Sequence, residues 1–192
     1  MKPQSEQQEL LTALLEAEKM EVEGKEFYLK MSLNSVNERG RQLFRILAEE
    51  EDNHRQDFRQ IYQSVSSEKE TPNLDFPPEK ENRLHSLFPQ TVEEVEKEIK
   101  APKEELEAID TAIGMEKQGI DFYFGQASKA YSPKVRRFYR ELVLEEKRHK
   151  ATLEDYRKYV IDPAGWLVSK TMPSLGCSLL PNSTGNVSDI EW

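Results

Sequence analysis

The sequence predicts an all-α protein folded as a four-helix bundle, and three observations support this fold class. Four long stretches contain no internal proline and carry apolar residues at spacings of three and four, which is typical of amphipathic helices. Glycine is scarce, at eight residues in 192, and the ten prolines fall mostly in two patches. No alternating run of β-branched residues bounded by turns is strong enough to predict a strand.

The four helices are predicted in two pairs. Their approximate ranges are 5–36, 38–66, 102–130 and 133–159. Asn37 is expected to cap the second helix, and Ser132 followed by Pro133 to open the fourth. The apolar seam of the third helix is expected to include Ile113 and Ile120. Because the connection within each pair is short, each pair should form an antiparallel hairpin.

A long segment, about residues 67–101, separates the two hairpins and contains four prolines. A connection of this length suits one crossover that runs along the bundle. Inside it, a short helix is predicted near 91–99. The bundle should therefore comprise residues 1–160, followed by an irregular tail over 161–192. Trp166 in that tail is expected to pack on the bundle or to cover the interface with a partner subunit.

The second hairpin repeats the first at an offset of 95 residues. Residues 11–58 align with residues 106–153 without a gap and share 14 identities in 48 positions. Repeats at a fixed offset indicate repeated structural units. We therefore interpret the two hairpins as copies related by a pseudo-twofold axis.

The composition excludes several classes of function. A mean hydropathy of −0.78 and the lack of a long apolar run argue against a membrane span. A net charge of −9, from 27 basic and 36 acidic residues, argues against nucleic acid as the main partner. The single cysteine, Cys177, excludes an internal disulfide and a Cys-x-x-Cys metal site. The first residues lack the apolar core of a secretory signal, so a cytoplasmic location is expected.

Each predicted helix carries acidic or imidazole side chains in the middle of its apolar seam. In chain order they are Glu21, Glu51 with His54, Glu116, and Glu146 with His149. An ionised carboxylate is costly to bury unless it is paired or bound to a metal, and these seams contain no lysine or arginine. Four carboxylates and two neutral imidazoles balance two divalent cations. This donor set suits iron or manganese, with zinc or cobalt able to substitute.

The spacing of these residues strengthens the metal hypothesis. Residues three apart on a helix are neighbours, so each Glu-x-x-His sequence directs an oxygen and a nitrogen to one point. One such sequence alone could belong to a solvated face, since glutamate is common in this chain, but the same 30-residue spacing separates the two seam glutamates of each hairpin. The neighbouring Glu49, Glu50 and Glu145 are assigned to surface or hairpin-edge charge.

The combined pattern resembles that of the ferritin-like di-iron carboxylate proteins. More narrowly, MEVEGKEFY and MEKQGIDFY, together with LAEEEDNH and LVLEEKRH, resemble the rubrerythrin-like branch over about residues 8–160. The resemblance implies two iron ions bridged by Glu51 and Glu146. It further implies that Glu21 and Glu116 each chelate one iron and that each histidine binds one.

Two features depart from rubrerythrin itself. With Cys177 as its only cysteine, the chain cannot build the rubredoxin-type iron site held by four cysteines. The turn after Glu116 offers Gly119 and Ile120 where rubrerythrin places a further carboxylate. The internal electron relay and one iron ligand are therefore absent, and an external electron donor is expected.

The resemblance implies a redox function in which hydrogen peroxide or dioxygen oxidises the reduced di-iron site, as in peroxide reduction or a ferroxidase reaction. It also implies a homodimer. Two alternatives stay open: an iron-binding or storage protein, and a bundle whose metal is purely structural.

Two pairs of residues at matching positions are candidates for supporting roles. Tyr28 and Tyr123, two turns beyond their seam glutamates, either donate hydrogen bonds to the ligand carboxylates or are core aromatics with hydroxyls satisfied elsewhere. Gly24 and Gly119 either permit close helix approach or leave room for an incoming oxidant.

Overall fold

The computed structural model describes residues 4–67, 69, 87–88 and 102–171. They form α1 (Gln4–Asn34), α2 (Glu38–Ser66), α3 (Lys103–Lys129), α4 (Pro133–Ile161) and α5 (Pro163–Thr171). This part of the chain contains no strand, which confirms the predicted all-α class. Among its helices, none is both long enough and apolar enough to cross a membrane.

The helices pack as two antiparallel hairpins that together make a four-helix bundle, as the sequence predicts. α1 packs along α2 and α3 along α4, and the hairpins meet where α1 contacts α3 and α2 contacts α4. Most of the predicted crossover, including the helix expected near 91–99, lies outside the described residues. The tail beyond residue 171, with Cys177, also lies outside them.

Side-chain caps fix the start of the second helix of each hairpin, as predicted. The Asn37 side chain accepts a hydrogen bond from the backbone N–H of Arg39 at 2.8 Å. Ser132 accepts one from the backbone N–H of Val135 at 3.5 Å, with Pro133 in the first turn. Each cap satisfies a helix N-terminal N–H that has no partner within the helix.

The core consists of two apolar clusters with a polar layer between them. The first cluster includes Tyr28, Phe44, Leu47, Ile109, Leu153 and Tyr156. The second includes Leu14, Phe58, Ile61, Tyr123, Tyr139 and Leu142. Along each of the four long helices, the seam glutamate falls between residues of the first cluster and residues of the second. The polar seam residues of all four helices therefore lie at the same depth in the bundle.

A buried carboxylate, missed in the sequence, ties the turn between α1 and α2 to the other hairpin. Glu105 of α3 accepts a hydrogen bond from Ser35 Oγ at 2.5 Å and another from the backbone N–H of Val36 at 3.2 Å. The Tyr156 hydroxyl of α4 donates to the same carboxylate at 3.4 Å. These bonds hold the two hairpins in register at one end of the bundle.

The tail was predicted to be irregular from residue 161, and this is wrong over Pro163–Thr171, which forms α5. Asp162 starts this helix by accepting a hydrogen bond from the backbone N–H of Gly165 at 3.0 Å. Trp166 stacks on Phe88 with ring centroids 5.1 Å apart and meets Tyr159 edge-on at 5.4 Å. Trp166 is thus buried against its own chain, which is the first of the two placements expected for it.

Candidate metal centre

The six predicted ligand residues meet in the buried polar layer. They form two groups: Glu21, Glu51, His54 and Glu146, and Glu51, Glu116, Glu146 and His149. Within each group, one nitrogen or oxygen atom from every residue lies within 4.8 Å of the others. Glu51 and Glu146 belong to both groups. The arrangement therefore offers two adjacent metal positions that share two carboxylates.

His54 supplies the nitrogen of the first group. Its Nδ1 lies 3.4 Å from Glu21 Oε2, 3.7 Å from Glu51 Oε2 and 3.4 Å from Glu146 Oε1. Two of these carboxylates come from the same hairpin as His54, and Glu146 comes from α4 of the other. Both hairpins are thus needed to complete this group.

His149 occupies the equivalent place in the second group. Its Nδ1 lies 3.3 Å from Glu51 Oε1, 3.7 Å from Glu116 Oε2 and 3.4 Å from Glu146 Oε2. The two imidazole rings are nearly parallel, with centroids 5.8 Å apart and planes inclined by 17°. The centre therefore keeps the twofold relation between the hairpins that the sequence repeat predicts.

The oxygen and nitrogen atoms that face one another at this centre are better suited to binding a cation than to hydrogen bonding with each other. Five buried atoms of the six candidate ligands have no hydrogen-bond partner among the described residues: Glu21 Oε2, Glu51 Oε1, Glu146 Oε1, His54 Nδ1 and His149 Nδ1. A buried polar atom without a partner costs about 1–3 kcal/mol. Carboxylate oxygens with imidazole nitrogens are ligands that suit iron and manganese. The residues present therefore fit a pair of metal ions.

Two tyrosines reach across the bundle to Glu21 and Glu116, the outer carboxylates, each of which belongs to only one of the two groups. The Tyr28 hydroxyl of α1 donates to Glu116 on α3, and the Tyr123 hydroxyl of α3 donates to Glu21 on α1. Burial, reinforced by the nearby carboxylate charges, raises the pKa of both phenols well above its usual value. The hydroxyls therefore stay protonated and act as donors. Of the two alternatives left open by the sequence, the structure places them as donors to the candidate ligands.

Glu50 and Glu145 are also part of the centre, and their assignment to surface or hairpin-edge charge was wrong. They are only 4% and 3% exposed. Glu145 Oε2 lies 2.6 Å from His54 Nε2, and Glu50 Oε2 lies 2.6 Å from His149 Nε2. Each side chain points from its own hairpin to the histidine of the other. The third residue of that assignment, Glu49, is exposed as expected.

These two carboxylates orient the histidines. A carboxylate hydrogen-bonded to one ring nitrogen holds the proton there and leaves the other nitrogen facing the metal, while making the ring a stronger ligand. Here the held nitrogen is Nε2 and the free nitrogen is Nδ1, which faces the seam carboxylates. The sequence did contain a signal, because Glu50 and Glu145 are identical at the 95-residue offset.

Without metal, the crowded carboxylates separate into two kinds. Burial, followed by the charge of the neighbouring shared carboxylate, raises the pKa of Glu21 and Glu116 well above its usual value. Burial also acts to raise the pKa of Glu51, but its close contacts with Glu21 and with the two imidazoles outweigh burial and lower that pKa to about 2. The pKa of Glu146 is lowered in the same way, by close contacts with the two imidazoles that outweigh its burial.

The histidines respond to the same carboxylates. Burial alone would lower the pKa of each imidazole, but it is outweighed. The charge of Glu21, the hydrogen bond with Glu145 and the close carboxylate of Glu146 raise the pKa of His54 well above its usual value. The close carboxylates of Glu116 and Glu146, together with the hydrogen bond to Glu50, raise the pKa of His149 in the same way. The metal-free centre therefore holds protons that bound cations would displace.

A cavity of about 270 Å³ between α1 and α3 leads to the centre. Its wall includes exposed Glu23 and Gln118 as well as all four buried seam glutamates. A Cβ atom on Gly24 would lie 3.5 Å from Glu51 Cγ, and one on Gly119 would lie 3.6 Å from Glu146 Cγ. The two glycines thus border the shared carboxylates and keep this side of the centre open.

Comparison with known proteins agrees with this description. The family model named Rubrerythrin matches residues 12–157, which span both hairpins and all six candidate ligands. Searches of curated proteins and of solved structures returned no match. The family and the buried cluster together indicate a metal-binding centre.

Proposed function

The chain belongs to the Rubrerythrin family, and on this premise we propose that it is an oxidoreductase whose reduced di-iron centre is oxidised by hydrogen peroxide or dioxygen. One observation carries the proposal: two overlapping groups of ligand atoms share Glu51 and Glu146. Two metals that share carboxylates are held close enough for one small oxidant to meet both. A single-metal site would not need the second group.

Each residue of the centre has a distinct place in this proposal. Glu21 with His54 would hold one iron, and Glu116 with His149 would hold the other. Glu51 and Glu146 would bind both. Four carboxylates then balance two divalent cations, with both imidazoles neutral.

The bound irons would supply the two electrons that, with two protons, reduce one hydrogen peroxide molecule to two water molecules. The protein's own part is to hold and shield the centre. Tyr28 and Tyr123 fix one oxygen of each outer carboxylate, which leaves the other oxygen facing the cluster. The two apolar clusters on either side limit the access of bulk water.

The cavity favours reaction over a purely structural metal. Structural metal sites are closed by their ligands, whereas catalytic sites keep an open position. Here a cavity large enough for peroxide or dioxygen reaches the seam glutamates past Gly24 and Gly119. The turn after Glu116 offers Gly119 and Ile120 and lacks the further carboxylate that the resemblance places there, so this side of the centre has no further ligand.

We also propose two partners for the protein, an external electron donor and a second copy of the chain. Repeated turnover needs an external electron donor, because a chain whose only cysteine is Cys177 cannot hold a second iron centre of the rubredoxin type. We further propose that the protein acts as a homodimer, by similarity to the rubrerythrin-like branch.

Rapid mixing of anaerobically reduced, iron-loaded protein with each oxidant tests this function. We expect near-ultraviolet absorption of the diferric protein to appear at about two irons per chain, faster with peroxide than with dioxygen. Turnover should continue when an external reductant is supplied. Failure to react with either oxidant would favour a bundle whose metal is purely structural. Uptake of tens of irons per chain would favour an iron-storage protein.

A pair of variants on α1 controls for the fold. Glu21→Ala should abolish the oxidation phase while leaving the helical content, measured by circular dichroism, nearly unchanged. Glu16→Ala removes an exposed carboxylate from the same helix and should keep wild-type oxidation. Equal loss of activity in both variants would argue against a specific role for Glu21.

A further inference from the structure

The sequence repeat is broken beside the two carboxylates that hold the histidines. In the second hairpin, Arg148 Nη2 donates to Glu145 Oε1 at 2.9 Å, one helical turn along α4. The residue at the same place in the first hairpin is Asn53, which is exposed. Glu50 Oε1 is buried and has no hydrogen-bond partner within the described part of the chain. The two Glu–His pairs are thus geometrically alike but differ in charge.

This difference acts on the metal through the histidine. A hydrogen-bonded carboxylate makes its imidazole a stronger ligand. The Arg148 guanidinium draws negative charge away from Glu145, which weakens this effect on His54. The positive charge of Arg148 also repels a metal cation bound at the His54 position. Both effects have the same sign, and neither acts on His149 through Glu50.

We infer that the two metal positions are inequivalent, and that the position of His149 binds a divalent cation more tightly than the position of His54. Arg148 is the residue that lowers the affinity of the His54 position, acting through Glu145. The inference rests on the proposed function only in that the cluster must bind two metals. It adds an order of filling that the six ligands alone, with their near-twofold symmetry, do not give.

Cobalt(II), added to the metal-free protein, tests each position separately. His54→Asn leaves the His149 position intact, and His149→Asn leaves the His54 position intact. Asparagine keeps a donor for the buried glutamate that faces it. We expect the His54→Asn variant to bind cobalt about two- to fivefold more tightly than the His149→Asn variant does. This factor is the scale of the effect of a partly exposed ion pair. Binding is followed by calorimetry and by the visible absorption of cobalt.

Exchanging the two unequal residues provides the matched control. In the His149→Asn background, Arg148→Asn should tighten cobalt binding by about two- to fivefold. In the His54→Asn background, Asn53→Arg should loosen it by a similar factor. Glu50→Gln should weaken only the His149 position, by about 10–100-fold. A purely structural role for Arg148 would change stability without changing either cobalt affinity.

A second measurement does not depend on the histidine variants. Crystals of wild-type protein with one equivalent of cobalt should show stronger anomalous scattering at the His149 position. The inference would be overturned by stronger scattering at His54, by equal affinities of the two positions, or by an Arg148→Asn variant with unchanged affinity. None of these results would argue against the di-metal centre itself. A wild-type protein that binds no cobalt would instead overturn the di-metal centre, and the inference with it.

Discussion

At the scale of single residues, the centre depends on hydrogen bonds that cross between the hairpins. Tyr28 donates to Glu116, Tyr123 to Glu21, and Glu145 holds His54. In each case the supporting group and the candidate ligand come from different hairpins. Assembly of the two hairpins therefore orients the ligands before any metal binds.

Removal of one tyrosine hydroxyl tests this orientation. Tyr28→Phe leaves a buried oxygen of Glu116 without its donor, so the metal-free protein should lose about 1–3 kcal/mol of unfolding free energy. Tyr139→Phe is the control, because the buried Tyr139 hydroxyl has no hydrogen-bond partner among the described residues. Urea denaturation measures both variants. Equal losses of stability would show that the bond to Glu116 contributes nothing.

The pH dependence of the metal-free protein follows from its carboxylates and histidines. The raised pKa values of Glu21, Glu116, His54 and His149 mean that the folded state binds more protons than the unfolded state. Their stabilisation is present below the unfolded pKa values, about 4.3 for Glu and 6.5 for His, and is lost as pH rises through the folded ones. The melting temperature should therefore begin to fall above about pH 4.3 and should fall further above about pH 6.5.

Acid should destabilise the same protein for the opposite reason. The pKa of Glu51 is lowered to about 2, so its stabilisation is lost as the pH falls from about 4.3 towards 2. Bound metal should stabilise increasingly as pH rises, because its ligands bind in deprotonated form. A Glu21→Gln/Glu116→Gln variant should show a shallower fall with pH. A metal-free melting temperature that rises from pH 5 to pH 8 would contradict these assignments.

At the scale of helices, apolar spacing predicts how deep a residue lies, but not which neighbouring helix it faces. The ligand seams could therefore be predicted from the sequence. Glu50 and Glu145 lie one residue before the seam, where exposure depends on the helix packed alongside, and they were missed. In α3, Ala112 and Gly119 are buried while the expected Ile113 and Ile120 are only half-buried. α5 could not be predicted because its burial depends on Trp166 contacting Phe88 and Tyr159.

Glycine in α2 offers a test of close packing between elements. A Cβ atom on Gly40 would collide with the Tyr156 hydroxyl and with Ser35 Oγ, at the junction held by Glu105. Gly40→Ala should cost about 1–3 kcal/mol of unfolding free energy by overpacking. The control is Gly114→Ala in α3, where a Cβ meets nothing within 4 Å and should stabilise by about 0.5–1 kcal/mol. If both Gly40→Ala and Gly114→Ala stabilised the protein, the close packing of Gly40 against Tyr156 and Ser35 would be contradicted.

At the scale of the whole molecule, the internal repeat explains both the fold and the centre. Neither hairpin alone supplies a complete group of ligands, because each group combines Glu51 of the first hairpin with Glu146 of the second. The apolar clusters on either side form only when the hairpins pack together. Folding of the bundle and formation of the centre are thus one event, and metal binding should stabilise the whole molecule.

Crystals of the iron-loaded protein, measured at the iron absorption edge, would show by anomalous scattering whether two metal ions share Glu51 and Glu146. We expect two peaks per chain in the polar layer, one beside His54 and one beside His149, both in contact with the shared carboxylates. A single peak in this layer, or iron bound only elsewhere on the chain, would contradict a centre of two metals that share Glu51 and Glu146.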